Sequence, residues 1–333
     1  MPELSIIIPV YNVADYVAAT VKSLFEQHNP AVEYIFVNDG SPDNSWQVLQ
    51  DTLRQYPECK KNSKLIDLPE NGGVENARIC GLQQAEGEYI WFVDSDDLIA
   101  EGAIKAILQT LSENPVDYLA IKLQSIPAGS GIEPLQQPIK CKQVPPEELF
   151  AEIVSYQGKH GAVCNIVKRD LTLKHPILKT GLKIAEDYVM HSYWSIYAES
   201  AAILENPLYG YVIRPQSAMN TSKMINIMQS TRDAMQILAD AANSLPENKQ
   251  QPFKTELRRT AVRKRMEYFA EFFKLDAPPE IPELLEKQVQ VQVSLRNDWQ
   301  PTAWGLKPVL LCDKMKCYRT MQCYLQILKK ASL

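Results

Sequence analysis

Seven cysteines are scattered through the 333 residues, and no two form a CxxC pair or a metal-like cluster. That pattern excludes a zinc ribbon and a secreted disulfide scaffold, and it fits reduced thiols in a cytoplasmic protein. The four histidines show no zinc spacing. No uninterrupted apolar run reaches the ~18 residues expected of a transmembrane helix. The N-terminus shows no basic segment followed by a long apolar core, so the expectation is a cytoplasmic chain without a signal peptide. A net charge of −5 gives the wrong overall field for nucleic acid. Hydrophobic residues make up 45% of the chain, enough for a substantial core in one large domain with an extension, or in two domains.

The most informative segment runs from Gly87 to Asp97, Gly-Glu-Tyr-Ile-Trp-Phe-Val-Asp-Ser-Asp-Asp. The apolar run Tyr89 to Val93 is short enough for a buried strand. It ends in Asp94, Asp96 and Asp97. Carboxylates crowded at a strand's C-terminal end repel one another unless a cation or hydrogen-bond donors compensate. Ligands bind at that edge in open α/β sheets, and a hard divalent ion bridging to phosphates suits such a cluster. The bland alternative is a polar turn in which Asp caps the next helix.

Three more units of this kind precede it. Leu4 to Val10 is a β-branched run ending at Tyr11-Asn12, followed by Tyr16, Val17, Val21, Leu24 and Phe25 at near-helical spacing. Val32 to Val37 runs into Asn38-Asp-Gly-Ser-Pro-Asp43, with a helix expected from about Ser45 and Trp46, Leu49 and Leu53 inside. Leu65 to Leu68 leads to Glu70-Asn-Gly-Gly-Val-Glu-Asn-Ala-Arg78. Alternation of strands and helices predicts βαβ units and a mostly parallel sheet. Right-handed crossovers then bring Tyr11, Asn12, Asp39, Gly73, Arg78 and Asp94 to one edge.

The blocks Ile-Ile-Pro-Val-Tyr-Asn, Val-Asn-Asp-Gly-Ser-Pro-Asp, Glu-Asn-Gly-Gly-Val and Val-Asp-Ser-Asp-Asp resemble, in order and separation, the signatures of family 2 glycosyltransferases. The likeness is dense over the first hundred residues and thinner to about residue 217. It implies a GT-A α/β fold, with a Rossmann-like, mostly parallel sheet and a helical C-terminal extension. It implies inverting transfer of a sugar from a nucleotide-sugar, expected to be a UDP-sugar, with Mg²⁺ or Mn²⁺ as cofactor. The acceptor would be a glycan or lipid-linked glycan in bacterial cell-surface polysaccharide synthesis. By resemblance, Asp96 holds the metal with Asp94 or Asp97 assisting. Asp39 would accept from the base, Asp94 would lie near the ribose, and Tyr11 would stack on the base. Pro9 and Val10 would form the floor, and Asn12, Gly73 and Ser95 would complete the donor site. Arg78 would lie near the base or diphosphate, or else form a surface ion pair.

An inverting reaction also needs a group to take the acceptor's proton. Family members place it in a Glu-Asp pair well beyond the Asp cluster, and here Glu186-Asp187 stand there. Asp187 is the candidate base and Glu186 an acceptor-side partner, although the pair can also serve the start of a helix, where its charge is stabilised. His191, one helical turn later, ranks as structural. The chain departs from the usual pattern at Asn38, where Asp is commoner, and at Glu75 and Asn76, which replace small residues and either alter donor choice or face solvent. Cys80 stands where a polar residue is common. Two other readings remain open. A sugar nucleotidylyltransferase should carry a Gly-rich phosphate loop where Tyr11 to Ala14 stand here. A non-catalytic nucleotide-sugar-binding or scaffold relative would not need both Asp96 and Asp187.

The expected organisation is a catalytic domain over 1–220, with a nucleotide-sugar half (1–100) and an acceptor half (101–220), then a mainly helical region over 221–333. Residues 127–146 look like a loop between halves, Glu147 to Tyr156 a helix, and Ala162 to Val167 a strand. Asn206 to Arg214 resembles the closing strand, after which Arg214 and Ser217 either close over the diphosphate or are ordinary loop polarity. Helices are expected over Ile225 to Ala242 and Phe253 to Lys274. The tail, residues 305–333, carries six Lys/Arg and one Asp, a net of +5 on a body of −10. Leu311, Met315, Tyr318, Tyr324, Leu325 and Leu328 form an apolar stripe between its basic residues. Such a helix suits an anionic membrane face, or contact with the catalytic domain or a second subunit in a homo-oligomer. If it anchors, binding to anionic vesicles weakens as salt rises and vanishes on truncation after Trp304, each basic residue contributing about 1 kcal/mol at the surface. Vesicle binding indifferent to salt and to the tail would rule the anchor out.

Overall fold

The computed structural model describes residues 2–136, 138–155, 162–176, 179–182, 185–214 and 224–274. The tail and Ser217 lie outside the described residues. The chain divides into two compact units, Met1–Lys223 and Met224–Leu333.

The first unit opens with three βα repeats. Strand β1 (Leu4–Val10) leads to helix α1 (Val17–Phe25), β2 (Val32–Asn38) to α2 (Ser45–Leu53) and the short α3 (Pro57–Lys61), and β3 (Ser63–Asp67) to α4 (Val74–Gln84). Strand β4 (Tyr89–Phe92) then joins β1. The pairings β1–β2, β2–β3 and β1–β4 are all parallel. The second half of the unit is mixed. It comprises β5 (Leu98–Ile99), α5 (Ala103–Glu113), β6 (Tyr118–Pro127), β7 (Cys141–Val144), α6 (Pro146–Ser155), β8 (Asn165–Lys168), α7 (Arg169–Lys174), α8 (Glu186–Tyr197) and β9 (Ala201–Ile213). The sheet runs β3-β2-β1-β4-β8-β6-β9-β5, with β7 also on β9. Strand β8 inserts antiparallel between β4 and β6, while β6 and β9 are parallel.

Both faces of the sheet are buried, so its central strands are apolar throughout, as parallel strands covered by helices must be. Leu4, Ile6, Ile8 and Val10 of β1 face one core with Val17, Val21, Leu24 and Phe25 of α1. Ile7, between them, faces the other core with Ala77 of α4 and Trp194 of α8. Leu49 and Leu53 of α2 are buried as expected, and Trp46 packs at the rim. Helix α4 lies so close to β1 that a Cβ at Gly81 would meet Ile7 Cγ2 at 2.3 Å.

The stretch 127–146 is not a simple loop. Its end, β7, adds an antiparallel strand to β9. That strand is mostly exposed, with Cys141, Lys142 and Gln143 all in solvent, so burial gave it no apolar pattern to read. The predicted strand over Ala162 to Val167 begins as a 3-10 turn, Ala162–Cys164, and becomes β8 only at Asn165. The Trp91 indole donates to the Val163 carbonyl at 2.7 Å and fixes that turn against β4.

The second unit contains α9 (Met224–Ser244) and α10 (Glu247–Lys274). Leu238, Ala242 and Phe253 are buried in it. Helix α10 starts ahead of Phe253. Pro252 sits inside it, in its second turn.

At the sheet end away from the strands' C-termini, one carboxylate organises the chain. Glu33 accepts from Ser5 Oγ at 2.5 Å, from the Glu86 and Gly87 amides at 2.6 and 3.0 Å, and pairs with Lys64 at 3.0 Å. A Cβ at Gly87 would meet Ser5 N at 2.6 Å and Leu4 C at 2.9 Å, both backbone atoms that cannot swing aside. Gly87→Ala should therefore cost about 1–3 kcal/mol, the usual scale of overpacking, read as a lower urea midpoint. An unchanged midpoint would mean that β4 can shift along β1.

Candidate active site

The site forms where β1, β2 and β4 end. Tyr11 is exposed, and Asn12 takes a left-handed φ of 54° as the chain turns away. Pro9 and Val10 are buried in β1 beneath it. Asp43 and Ser45 hold the β1–α1 connection, Asp43 accepting from the Ala14 amide at 3.1 Å and Ser45 Oγ from the Val13 amide at 2.8 Å.

The loops after β2 and β3 are stapled together. Asp39 is buried, and its carboxylate accepts from the Gly72 amide at 2.8 Å. Gly40 has a φ of 63°, and a Cβ there would meet Asn71 N at 2.8 Å. Asn38 donates its amide to Asp67 at 2.7 Å. An Asp at position 38 would set two carboxylates face to face, which explains the departure noted in the sequence. Gly73 has a φ of 87° at the start of α4.

The acidic turn after β4 caps no helix. It leads into β5, and the next helix, α5, is preceded by Gly102. The ligand oxygens of Asp94, Asp96 and Asp97 lie within 4.8 Å of one another. Thr20 Oγ1 braces the turn through the Ser95 carbonyl at 2.9 Å. Asp97 is buried, accepting from Tyr209 Oη at 2.7 Å and from the Val212 amide at 2.8 Å, so both its oxygens face strand β9. Tyr209 Oη in turn accepts from the Asp94 amide at 3.1 Å. Asp96 is paired with Arg214, whose guanidinium also sits 5.1 Å from the centre of the Tyr16 ring.

Two guanidiniums, Arg214 on Asp96 and Arg78 on Asp94, do not fully compensate the three carboxylates. Burial, then the Asp94 charge, push the Asp96 carboxyl up to about 6 despite Arg214. Burial and the neighbouring Asp96 and Asp94 push Asp97 up to about 8. A donor set of close carboxylates at a strand end, with raised proton affinity, fits a hard divalent cation.

Arg78 is not a surface ion pair. Its side chain is 4% exposed, donates to Asp94 at 3.0 Å and lies 3.6 Å from Glu186. Its Nε and Nη1 have no hydrogen-bond acceptor among the described residues. Helix α4 thus joins the acidic turn of β4 to the first turn of α8. Glu186 and Asp187 are the first two residues of α8, after Ala185 at a φ of 68°. Asp187 Oδ1 accepts from the Tyr188 amide at 2.6 Å. Burial, then repulsion from Asp187, raise Glu186 to about 7, with Arg78 opposing. Burial also raises Asp187, again with Arg78 opposing. Desolvation therefore outweighs the helix terminus that would lower both. His191 is buried against Phe92 and Trp194, and burial followed by the Arg78 charge depress it far below the usual histidine range.

The family model for glycosyl transferase family 2 matches residues 5–174. The chain belongs to that family. The Bacillus subtilis protein GgaB, a minor teichoic acid biosynthesis protein, is 29% identical over 227 residues, 66% of this chain and 24% of GgaB. The match also spans less than half the length of two further curated relatives, 33% of Bacillus subtilis EpsJ and 44% of a Haemophilus influenzae glycosyltransferase. Among solved structures, residues 1–349 of S. aureus TarS in complex with UDP-GlcNAc superpose with a TM-score of 0.75 at 24% identity, over 99% of this chain and 92% of that one. The mannosyltransferase PcManGT from Pyrobaculum calidifontis, in complex with GDP-Man and Mn²⁺, gives a TM-score of 0.53 at 16% identity, over 97% of this chain and 85% of that one. These likenesses establish the GT-A fold. Among the described residues, no helix is long and apolar enough to cross a membrane.

The raised carboxyls fix a sign for stability against pH. Asp97 has an ordinary value of 3.8 and a folded value of about 8, so over that interval the unfolded chain has released a proton that the folded chain keeps. Stability then falls as pH rises. Glu186 acts in the same direction up to about 7. His191, depressed from 6.5, acts oppositely but only below that value. The melting temperature of the cation-free protein should therefore fall from about pH 7 to about pH 8, and MnCl₂ should restore part of the loss. A rise over that interval would mean that the cluster is already compensated.

Proposed function

We propose that the chain transfers a sugar from a UDP-sugar to a glycan or lipid-linked glycan acceptor, with inversion at the anomeric carbon. The observation that carries this reading is the buried Arg78, which reaches Asp94 on one side and Glu186 on the other. A donor-side acidic turn and an acceptor-side acid pair thereby share one guanidinium, as expected where a diphosphate leaves on one side and a hydroxyl attacks from the other.

Asp39 accepts from the base, Tyr11 stacks on it, Pro9 and Val10 floor the pocket, and Asn12, Gly73 and Ser95 line the donor site. Asp94 orients the ribose. Asp96 and Asp94 hold Mg²⁺ or Mn²⁺, while Asp97 is spent mainly on anchoring the turn to β9. When bound, the cation supplies stabilisation for charge growing on the departing diphosphate. Asp96, paired with Arg214 here, would offer its carboxylate to that cation, and Arg214 would then be available to a phosphate. Asp187 takes the acceptor's proton, with Glu186 orienting the acceptor. Burial raises the proton affinity of both carboxylates, which strengthens Asp187 as a base. A place in teichoic acid or related cell-surface polymer assembly is the reading that the GgaB likeness, to a minor teichoic acid biosynthesis protein, supports. Peripheral contact with the inner membrane face through the tail belongs to the same reading.

A panel of nucleotide-sugars, with and without Mn²⁺, tests it. Asp96→Asn should lose metal-dependent UDP binding. Asp187→Asn should keep UDP binding and lose transfer by ~10²–10⁴-fold. Full activity of Asp96→Asn in chelator would reject the metal assignment. A product with retained anomeric configuration would reject the inverting mechanism.

A further inference from the structure

Glu75 is the one departure from the family pattern that the structure ties directly to the acceptor side. It is the second residue of α4, and its carboxylate accepts from two successive backbone amides of a distant loop. Thr180 N donates to Oε1 at 2.7 Å and Gly181 N to Oε2 at 3.3 Å. The loop is a tight one. The Leu182 amide donates back to Thr180 Oγ1 at 3.1 Å, and Gly181 has a φ of 66°, a conformation that favours glycine. The chain then enters α8 at Ala185, immediately ahead of Glu186 and Asp187.

Residues three apart on a helix share a face. Glu75 and Arg78 therefore present one side of α4, Glu75 to the loop before α8 and Arg78 to Glu186 within it. Charged acceptors bind amides more strongly than neutral ones. A carboxylate receiving two adjacent N–H groups fixes the position and the direction of the loop, which a small residue at position 75 would leave unheld.

We propose that Glu75 is a positioning residue that clamps the 179–182 loop and thereby sets where α8 presents Asp187 and Glu186 to the acceptor. The inference deepens the proposed function and rests on it for its catalytic consequence. The carboxylate of Glu75 is spent on the two loop amides. It carries the register between the nucleotide half, from which α4 comes, and the acceptor half, to which the loop belongs.

Three measurements on the full chain test the clamp. Hydrogen exchange without ligand should show the Thr180 and Gly181 amides exchanging at least about tenfold faster in Glu75→Ala. Glu75→Gln keeps one acceptor oxygen and should speed exchange at one of the two amides only. Calorimetry with UDP and Mn²⁺ should give dissociation constants within about twofold of the parent. Hydrolysis of UDP-GlcNAc by water, which also needs the base, should fall by about 10–10²-fold, the scale of a small misplacement, with partial rescue in Glu75→Gln. Unchanged exchange at both amides overturns the clamp. Faster exchange with unchanged hydrolysis overturns the positioning role. If Glu75→Ala does not fold, Glu75→Gln carries the same comparisons. A parent chain that neither binds UDP nor turns over any nucleotide-sugar overturns the proposed function and the catalytic half of this inference, while exchange still decides whether the clamp exists.

Discussion

A guanidinium almost without solvent access must find negative charge or the fold around it fails, because an unpaired buried cation costs several kcal/mol. Arg78 meets that requirement with Asp94, whose side chain is a third exposed, and with Glu186, which is mostly buried and itself costly to bury. The two buried groups, Arg78 and Glu186, depend on each other. The constraint runs through the architecture: β4 must end at Asp94, α8 must begin at Glu186, and α4 must lie close enough to reach both. Gly81, with no room for a Cβ against Ile7, allows α4 that approach.

The first half of the fold was legible because β1, β2 and β4 are buried on both faces and bounded by polar turns. Helices α1 and α2 announced themselves through spacing, and β1, β2 and β4 through uninterrupted apolar runs. The second half was less so, for physical reasons. Strand β7 is solvent-exposed, and β8 has only four residues. The antiparallel insertion of β8 beside β4 is a pairing choice that no local pattern records.

The site followed the same division. Residues at strand ends, such as Asp39 and Asp94, were visible as breaks from apolar to acidic. What they bond to was not. Asn38 accepts from the Ser41 amide, as an Asp there also would, but its donation to Asp67 is not visible in the sequence. Asp97 is close enough to Asp94 and Asp96 to share a cation, but that both its oxygens also receive donors from β9 leaves no trace in the sequence. Glu75 was left between donor choice and solvent, because a contact with residue 180 spans more than a hundred positions and leaves no periodic trace. The extent of Arg78's burial was equally hidden, since a helix-borne Arg reads as exposed. In each case the missing knowledge was a partner, which only the tertiary fold supplies.

The bond between Asp39 and Gly72 has a consequence of another kind. Asn followed by Gly is the pair most prone to deamidation, in which the next backbone nitrogen attacks the asparagine side chain, and asparagine is among the residues that heat damages first. Asn71-Gly72 is such a pair. The nitrogen that would attack is the one donated to Asp39 at 2.8 Å. The carboxylate that staples the two loops therefore also occupies the attacking nitrogen, and a chain stripped of Asp39 should acquire acidic charge in storage at the loop after β3.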